Sequence, residues 1–115
     1  MPVTLYHNPR CSKSRQTLQL LQDRGIEPEI IEYLKEPPTV ETLEQILAML
    51  GMEPRELMRK TEKIYLEQHL DNPELEHREL VMAMISNPIL IERPIVIHKN
   101  KATLGRPPEK ILEII

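Results

Sequence analysis

Apolar and polar positions along the chain change period several times, and each change marks an element. Val3-Thr4-Leu5-Tyr6 is a short apolar run closed by His7-Asn8-Pro9 and predicts a strand. Leu18, Leu20 and Leu21 recur before Arg24-Gly25, which predicts a helix capped by Ser12 or Ser14 and stopped at the glycine. Ile30, Ile31, Tyr33 and Leu34, bounded by Pro28 and by Pro37-Pro38, predict a second strand. Strand, helix, strand over about 30 residues is a βαβ unit, whose crossover is right-handed in roughly 98 % of cases, so the two strands should be parallel neighbours.

The middle of the chain takes a helical period. Leu43, Ile46, Leu47 and Leu50 fall at i, i+3, i+4 and i+7 between a Thr39 cap and a Gly51 stop. Pro54 sits at the favoured first position of a further helix through Arg59, and Leu80, Val81, Met84 and Ile85 repeat the stripe until Asn87-Pro88 ends it. Between these, Thr61 to Glu76 is polar and irregular, consistent with short helix plus loop. Residues from about 38 to 88 therefore read as a helical insertion. Ile95-Val96-Ile97 and Ala102-Thr103-Leu104, joined by Lys99-Asn100-Lys101, predict an antiparallel hairpin, and Pro107-Pro108 opens a last helix burying Ile111, Leu112 and Ile115. An early parallel pair and a late hairpin give a mixed α/β sheet of four strands flanked by helices, with the insertion between strands 2 and 3.

At 115 residues the chain suffices for one domain, 1–115, with a single core. Its 40 % hydrophobic and 29 % charged residues are those of an ordinary soluble globular protein. With no Trp or Phe and a net charge of -3, neither nucleic acid nor an anionic membrane is expected as a partner. No run approaches the roughly 20 apolar residues of a membrane span. Met1-Pro2-Val3 leads into the first predicted strand without a secretion signal, and one cysteine excludes an internal disulfide, so a reducing cytoplasm is the expected location.

That one cysteine, Cys11, carries the candidate chemistry. The stretch His7-Asn8-Pro9-Arg10-Cys11-Ser12-Lys13-Ser14-Arg15 surrounds it with four basic side chains. The strand-to-helix pattern sets it at the start of a helix, where unpaired N–H groups and the positive end of the macrodipole favour an anion. Thiols in such positions ionise at neutral pH, whereas an inert cysteine is usually a small buried hydrophobe among apolar neighbours. Other chemistries find no support. His7 and Cys11 make only two metal ligands, and His69, His77 and His98 lack zinc spacing, so no metal is expected. Three glycines form no phosphate-binding loop.

Several motifs in order, Tyr6-His7-Asn8-Pro9 with Cys11 and Ser14-Arg15, Tyr33-Leu34 with Pro37-Pro38, Arg55 to Lys60, Asn87 to Val96 and Leu104-Gly105-Arg106-Pro107, resemble the glutaredoxin-type arsenate reductases, the ArsC family, over essentially the whole chain. The resemblance implies a thioredoxin-like fold with a helical insertion. It implies Cys11 as nucleophile, Arg59, Arg93 and Arg106 as oxyanion-binding arginines, and Pro94 as the cis-proline facing the cysteine. It also supports His7 as an imidazolium lowering the thiol pKa, beside the alternatives that it caps a strand end or points to solvent. Ser14 stands where dithiol relatives carry a resolving cysteine, with helix capping as its other reading; Asn8 can orient the loop through Asx-type bonds, and Arg15 belongs to the site motif. Read without the resemblance, the three arginines are solvated surface charges.

The implied reaction is reduction of arsenate, with no bound cofactor. Since the chain has no second cysteine, the two electrons must come from outside thiols, glutathione as co-substrate and glutaredoxin as partner in the family. Resistance-type members have Gly-Thr where this chain has Ser12-Lys13, which marks a sister group. Two other functions stay open: a thiol-disulfide or deglutathionylation activity, and a non-enzymatic regulator like the Spx proteins, whose Cys-x-x-Cys switch Ser14 removes here.

Overall fold

The structure, a computed structural model, describes residues 2–115. It divides into two compact units, one built from the segment ending at Glu36 and the segment Arg93–Ile115, the other from Pro37–Glu92.

The first unit holds the sheet. Strands β1 (Thr4–Tyr6), β2 (Glu29–Ile31), β3 (Ile95–His98) and β4 (Lys101–Leu104) lie in the order β2-β1-β3-β4. Helix α1 (Ser12–Asp23) is the crossover that makes β1 and β2 parallel, while β3 runs antiparallel to both β1 and β4. Alternation along β1 sends Val3 and Leu5 to one face, and Leu5 is paired in register with Val96. These three join Leu21 and Ile111 in a buried cluster, with Leu18, Ile26, Ile114 and Ile115 packed on it. Leu18 and Leu21, three apart on α1, thus meet the core as their spacing predicts. The hairpin turn is Lys99-Asn100, both at positive φ (52° and 63°), and Lys101 already belongs to β4.

Three local expectations change. The cap of α1 is Cys11 itself, not Ser12 or Ser14, because the Ser14 hydroxyl is engaged elsewhere. Strand β2 stops at Ile31: the N–H groups of Lys35 and Glu36 both bond to the Glu32 carbonyl, which curls Tyr33 and Leu34 into a turn and buries the Tyr33 ring. The C-terminal segment Pro108–Glu113 is a 3-10 helix, not an α-helix.

In the second unit, α2 (Val40–Leu50) is capped by Thr39, whose Oγ1 accepts from Thr42 N–H at 3.1 Å, and ends at Gly51 in the left-handed region at φ 67°. Leu43, Ile46 and Leu47 are its buried stripe, and it packs on α5 (His77–Ser86), which buries Leu80, Val81 and Met84. The short helices α3 (Pro54–Leu57) and α4 (Lys63–Glu67) lie between them. The helix from Pro54 ends at Leu57, where Met58 turns extended and bridges to Ile91. That bridge and the 3-10 turn Pro88–Leu90 carry the insertion to Glu92, beyond the 88 expected. Among the described residues no helix is long and apolar enough to cross a membrane.

Candidate active site

Cys11 stands where β1 gives way to α1, in a loop that hydrogen-bonds to itself. Cys11 N–H donates to Asn8 O and Arg10 N–H to Asn8 Oδ1, each at 3.0 Å, an Asx-type closure that gives Asn8 its role. Arg15 Nη1 donates to Pro9 O at 3.0 Å and straps the loop from the helix side. Ser14 is fully buried, and its Oγ accepts from Asn8 N–H at 3.0 Å while lying 2.7 Å from His7 Nδ1. With its oxygen already accepting, the Ser14 hydroxyl is free to donate to Nδ1 of a neutral ring.

The electrostatics agree with a neutral His7. Burial, the largest influence, holds the imidazole below its ordinary pKa; Glu32 pulls the other way, and Arg15 adds to the lowering. The imidazolium reading of His7, one of three the sequence left open, is therefore disfavoured at neutral pH: in a residue only 6 % exposed, dehydration of the charge costs more than Glu32 returns.

The positive charge at the sulfur comes from Arg93. Burial pushes the Cys11 thiol up, but this is outweighed by hydrogen bonding from the Ser14 backbone, the bond and charge of the Arg93 guanidinium, and the Lys13 backbone, so the thiol lies below its ordinary pKa. The helix start thus supplies two backbone groups to the thiolate, and a residue distant in sequence supplies the cation. Arg93 has donors to spare: its Nε and Nη1 are buried and have no hydrogen-bond partner. The Arg93–Pro94 bond is cis. Arg106 Nη1 donates to Arg93 O at 3.1 Å and Gly105 N–H to Pro94 O at 3.0 Å, so the segment after β4 is tied to the segment before β3. Arg106–Pro107 is a second cis bond that the sequence did not suggest.

The first unit therefore brings together His7, Asn8, Cys11, Ser14, Arg15, Arg93, Pro94 and Arg106. Arg59 belongs to the second unit, where its Nε lies 3.1 Å from Glu62 Oε2 and its Nη1 3.7 Å from Glu92 Oε2. Its neighbour Arg55 spends its guanidinium on the carbonyls of Leu70 and Asn72. Glu32, which acts on His7, was not anticipated; as a polar residue flanked by strand-like positions it gave no signal in the sequence. Among the described residues no group of His, Cys, Asp or Glu side chains is arranged to hold a metal ion.

A mixed sheet in this order, with a lone cysteine capping the first helix and a cis-proline leading into β3, defines a thioredoxin-like α/β protein. Comparison sharpens that class. Residues 6–114 match the ArsC family, and the chain belongs to it. It is 52% identical over 114 residues to the uncharacterized protein YfgD of Escherichia coli K12, covering 98% of this chain and 96% of that one. It is 47% identical over 116 residues to an arsenate reductase of Haemophilus influenzae, across 100% of both chains. The solved arsenate reductase from Vibrio cholerae superposes with a TM-score of 0.98 at 48% identity, covering 100% of this chain and 98% of that one.

Proposed function

We propose that this protein reduces arsenate to arsenite through the thiolate of Cys11, drawing its electrons from external thiols. The observation that carries the reading is the pair of unpartnered, buried donors of Arg93 beside a sulfur whose thiol lies below its ordinary pKa. Buried N–H groups without acceptors cost free energy, of order 1–3 kcal/mol each and more when charged, unless a ligand satisfies them. A tetrahedral oxyanion does so, and a guanidinium suits its two-point geometry. The sequence similarity to named arsenate reductases supports arsenic as the central atom.

In this reading the Cys11 sulfur attacks arsenic, an S–As bond forms, and one arsenate oxygen leaves as water after protonation. Arg93 and the helix-start N–H groups stabilise the charge on the remaining oxygens, with Arg106 assigned to the same task. For Arg59 oxyanion binding rests on the sequence pattern alone. Two external thiols then become a disulfide, their electron pair reduces As(V) to As(III), arsenite departs, and Cys11 returns as thiolate. Overall one arsenic acid and two thiols give one arsenous acid, one disulfide and one water. We assign glutathione and glutaredoxin as the thiol donors, consumed rather than resident, with no bound cofactor. A cycle that consumes reduced thiols suits the cytoplasm. His7 and Ser14 act as a neutral pair that fixes the loop and the first turn of α1, so that the Ser14 N–H points to the sulfur.

The test is a coupled assay with glutathione, glutaredoxin, glutathione reductase and NADPH. Saturable, arsenate-dependent NADPH oxidation that disappears in Cys11→Ser is expected. Oxidation that arsenate does not stimulate would overturn the reading, and a Cys11–glutathione mixed disulfide turned over without oxyanion would point to a thiol-transfer activity instead.

A further inference from the structure

Gly105 has no backbone need to be glycine, since its φ lies outside the range that excludes a side chain. Its need is space. A methyl group on its α-carbon would lie 2.4 Å from Thr17 Oγ1, 2.7 Å from Pro94 Cγ and 3.3 Å from Thr17 Cγ2. The first two are shorter than real Cβ contacts show and the third is tight, so the three segments meeting here could not all hold their places around an alanine.

Those three segments carry the site. Thr17 lies on the buried face of α1 with Ser14 and Leu21, on the helix that Cys11 caps. Pro94 follows Arg93, whose guanidinium bonds to the sulfur. Gly105 precedes Arg106, and this pair is fastened to Arg93–Pro94 by the Gly105 N–H to Pro94 O and Arg106 Nη1 to Arg93 O bonds. Both of these bonds pull the segment after β4 onto the segment before β3, while Thr17 closes from the helix.

We propose that Gly105 is a positioning residue: its bare α-carbon lets α1 and the Arg93–Pro94 segment close to contact, and this closure sets the distance from the Arg93 guanidinium to the Cys11 sulfur. Thr17 is the other half of the contact. Its hydroxyl is fully buried and has no hydrogen-bond partner, so its place in the structure is that of a shape filling the notch over Gly105. The device acts through Arg93 and touches neither the sulfur nor the oxyanion. It rests on Cys11 being a reactive thiol, not on arsenate being the substrate.

The experiment follows the rate of Cys11 alkylation by iodoacetamide against pH, with and without arsenate, in wild type, T17A, G105A and the double variant T17A/G105A. Thermal unfolding is measured beside it. T17A should follow wild type, because the notch is emptied and nothing is displaced. G105A should move the rate–pH profile upward, with a fall of about three- to tenfold at neutral pH as the charged hydrogen bond from Arg93 is weakened. T17A/G105A, which removes the overlap with Thr17 and leaves that with Pro94, should fall between them. This graded order is not expected from a general loss of stability. An unchanged profile in folded G105A, or equal profiles for G105A and the double variant, would overturn the proposal. If G105A does not fold, the double variant decides: a profile like that of wild type, or failure of the double variant to fold while T17A folds, overturns it. Arsenate that fails to protect any variant, wild type included, would count against arsenate as substrate while leaving the order of the profiles as the test of Gly105.

Discussion

Replacing Arg93 by alanine removes a cation that bonds to the Cys11 sulfur, and its two effects can be measured separately. The first falls on the thiol. A hydrogen bond to a charged group contributes about 1.5–3 kcal/mol, and the half-buried sulfur keeps some access to water, which places the loss toward the lower end. A loss of about 1.4 kcal/mol is tenfold in an equilibrium constant, so the alkylation–pH profile should move up by about one pH unit. The second effect falls on the oxyanion. Arg93→Ala deletes the two unpartnered donors Nε and Nη1, and two charge-assisted bonds at the same low estimate give a loss of about a hundredfold in affinity. Arg93→Lys keeps a charge near the sulfur but has no planar fork, so it should preserve more of the thiol reactivity than of the oxyanion affinity. The assay is alkylation of Cys11 as a function of pH, repeated with increasing arsenate. If Arg93→Ala alkylates with the wild-type profile, the cation that ionises the thiol has been misassigned. If arsenate still protects it at wild-type concentrations, the two donors are not the oxyanion site.

Three further outcomes follow from other parts of the structure. Ser14→Ala strands the buried His7 Nδ1 and the Asn8 N–H without their shared partner, so thermal unfolding should show a loss of about 1–3 kcal/mol. Thr39→Ala removes the side-chain cap of α2 and should cost about 1 kcal/mol in denaturant unfolding, with the alkylation profile of Cys11 unmoved. Cys11 makes stability depend on pH: its folded pKa is depressed, so the folded state binds fewer protons, and the contribution is complete above the ordinary value of 9.0 and lost as pH falls through the lowered folded value. The difference in unfolding free energy between wild type and Cys11→Ser should therefore grow with pH across that window; a flat difference would show that the thiol titrates alike in both states.

Much of the frame was legible because local patterns and tertiary packing agree. Thr39 and Gly51 bracket α2 as their side-chain and backbone preferences demand, and the Leu43, Ile46, Leu47 stripe is the face that packs on α5. The hairpin and the parallel pair came from periodicity and connection length. Where a tertiary partner competes for a group, the local reading fails. Ser14 has the chemistry of a cap, but His7 and Asn8 claim its hydroxyl, and Cys11 takes the cap position. Tyr33 and Leu34 have strand composition, yet two N–H groups turning back to Glu32 end the strand before them. The electropositive surroundings of Cys11 could be read from neighbouring residues, but which cation bonds to the sulfur could not. Arg93 is brought there by strand pairing, and burial disfavours the charged form of His7, the nearer candidate in sequence. Gly105 is ambiguous in sequence, since a glycine needed for space looks the same as one needed for a turn.

The unit that holds the thiol is discontinuous, its two pieces separated by the whole of Pro37–Glu92. During synthesis the cysteine emerges before Arg93, β3 and the hairpin partner β4, and β1 gains its antiparallel neighbour only once Ile95–His98 has been made. Such long-range closure is slow to form compared with local helices. A growing or truncated polypeptide that stops before Arg93 accordingly carries a thiol lacking the guanidinium that lowers its pKa, so the cysteine takes on its folded reactivity only after the Pro37–Glu92 unit has been made.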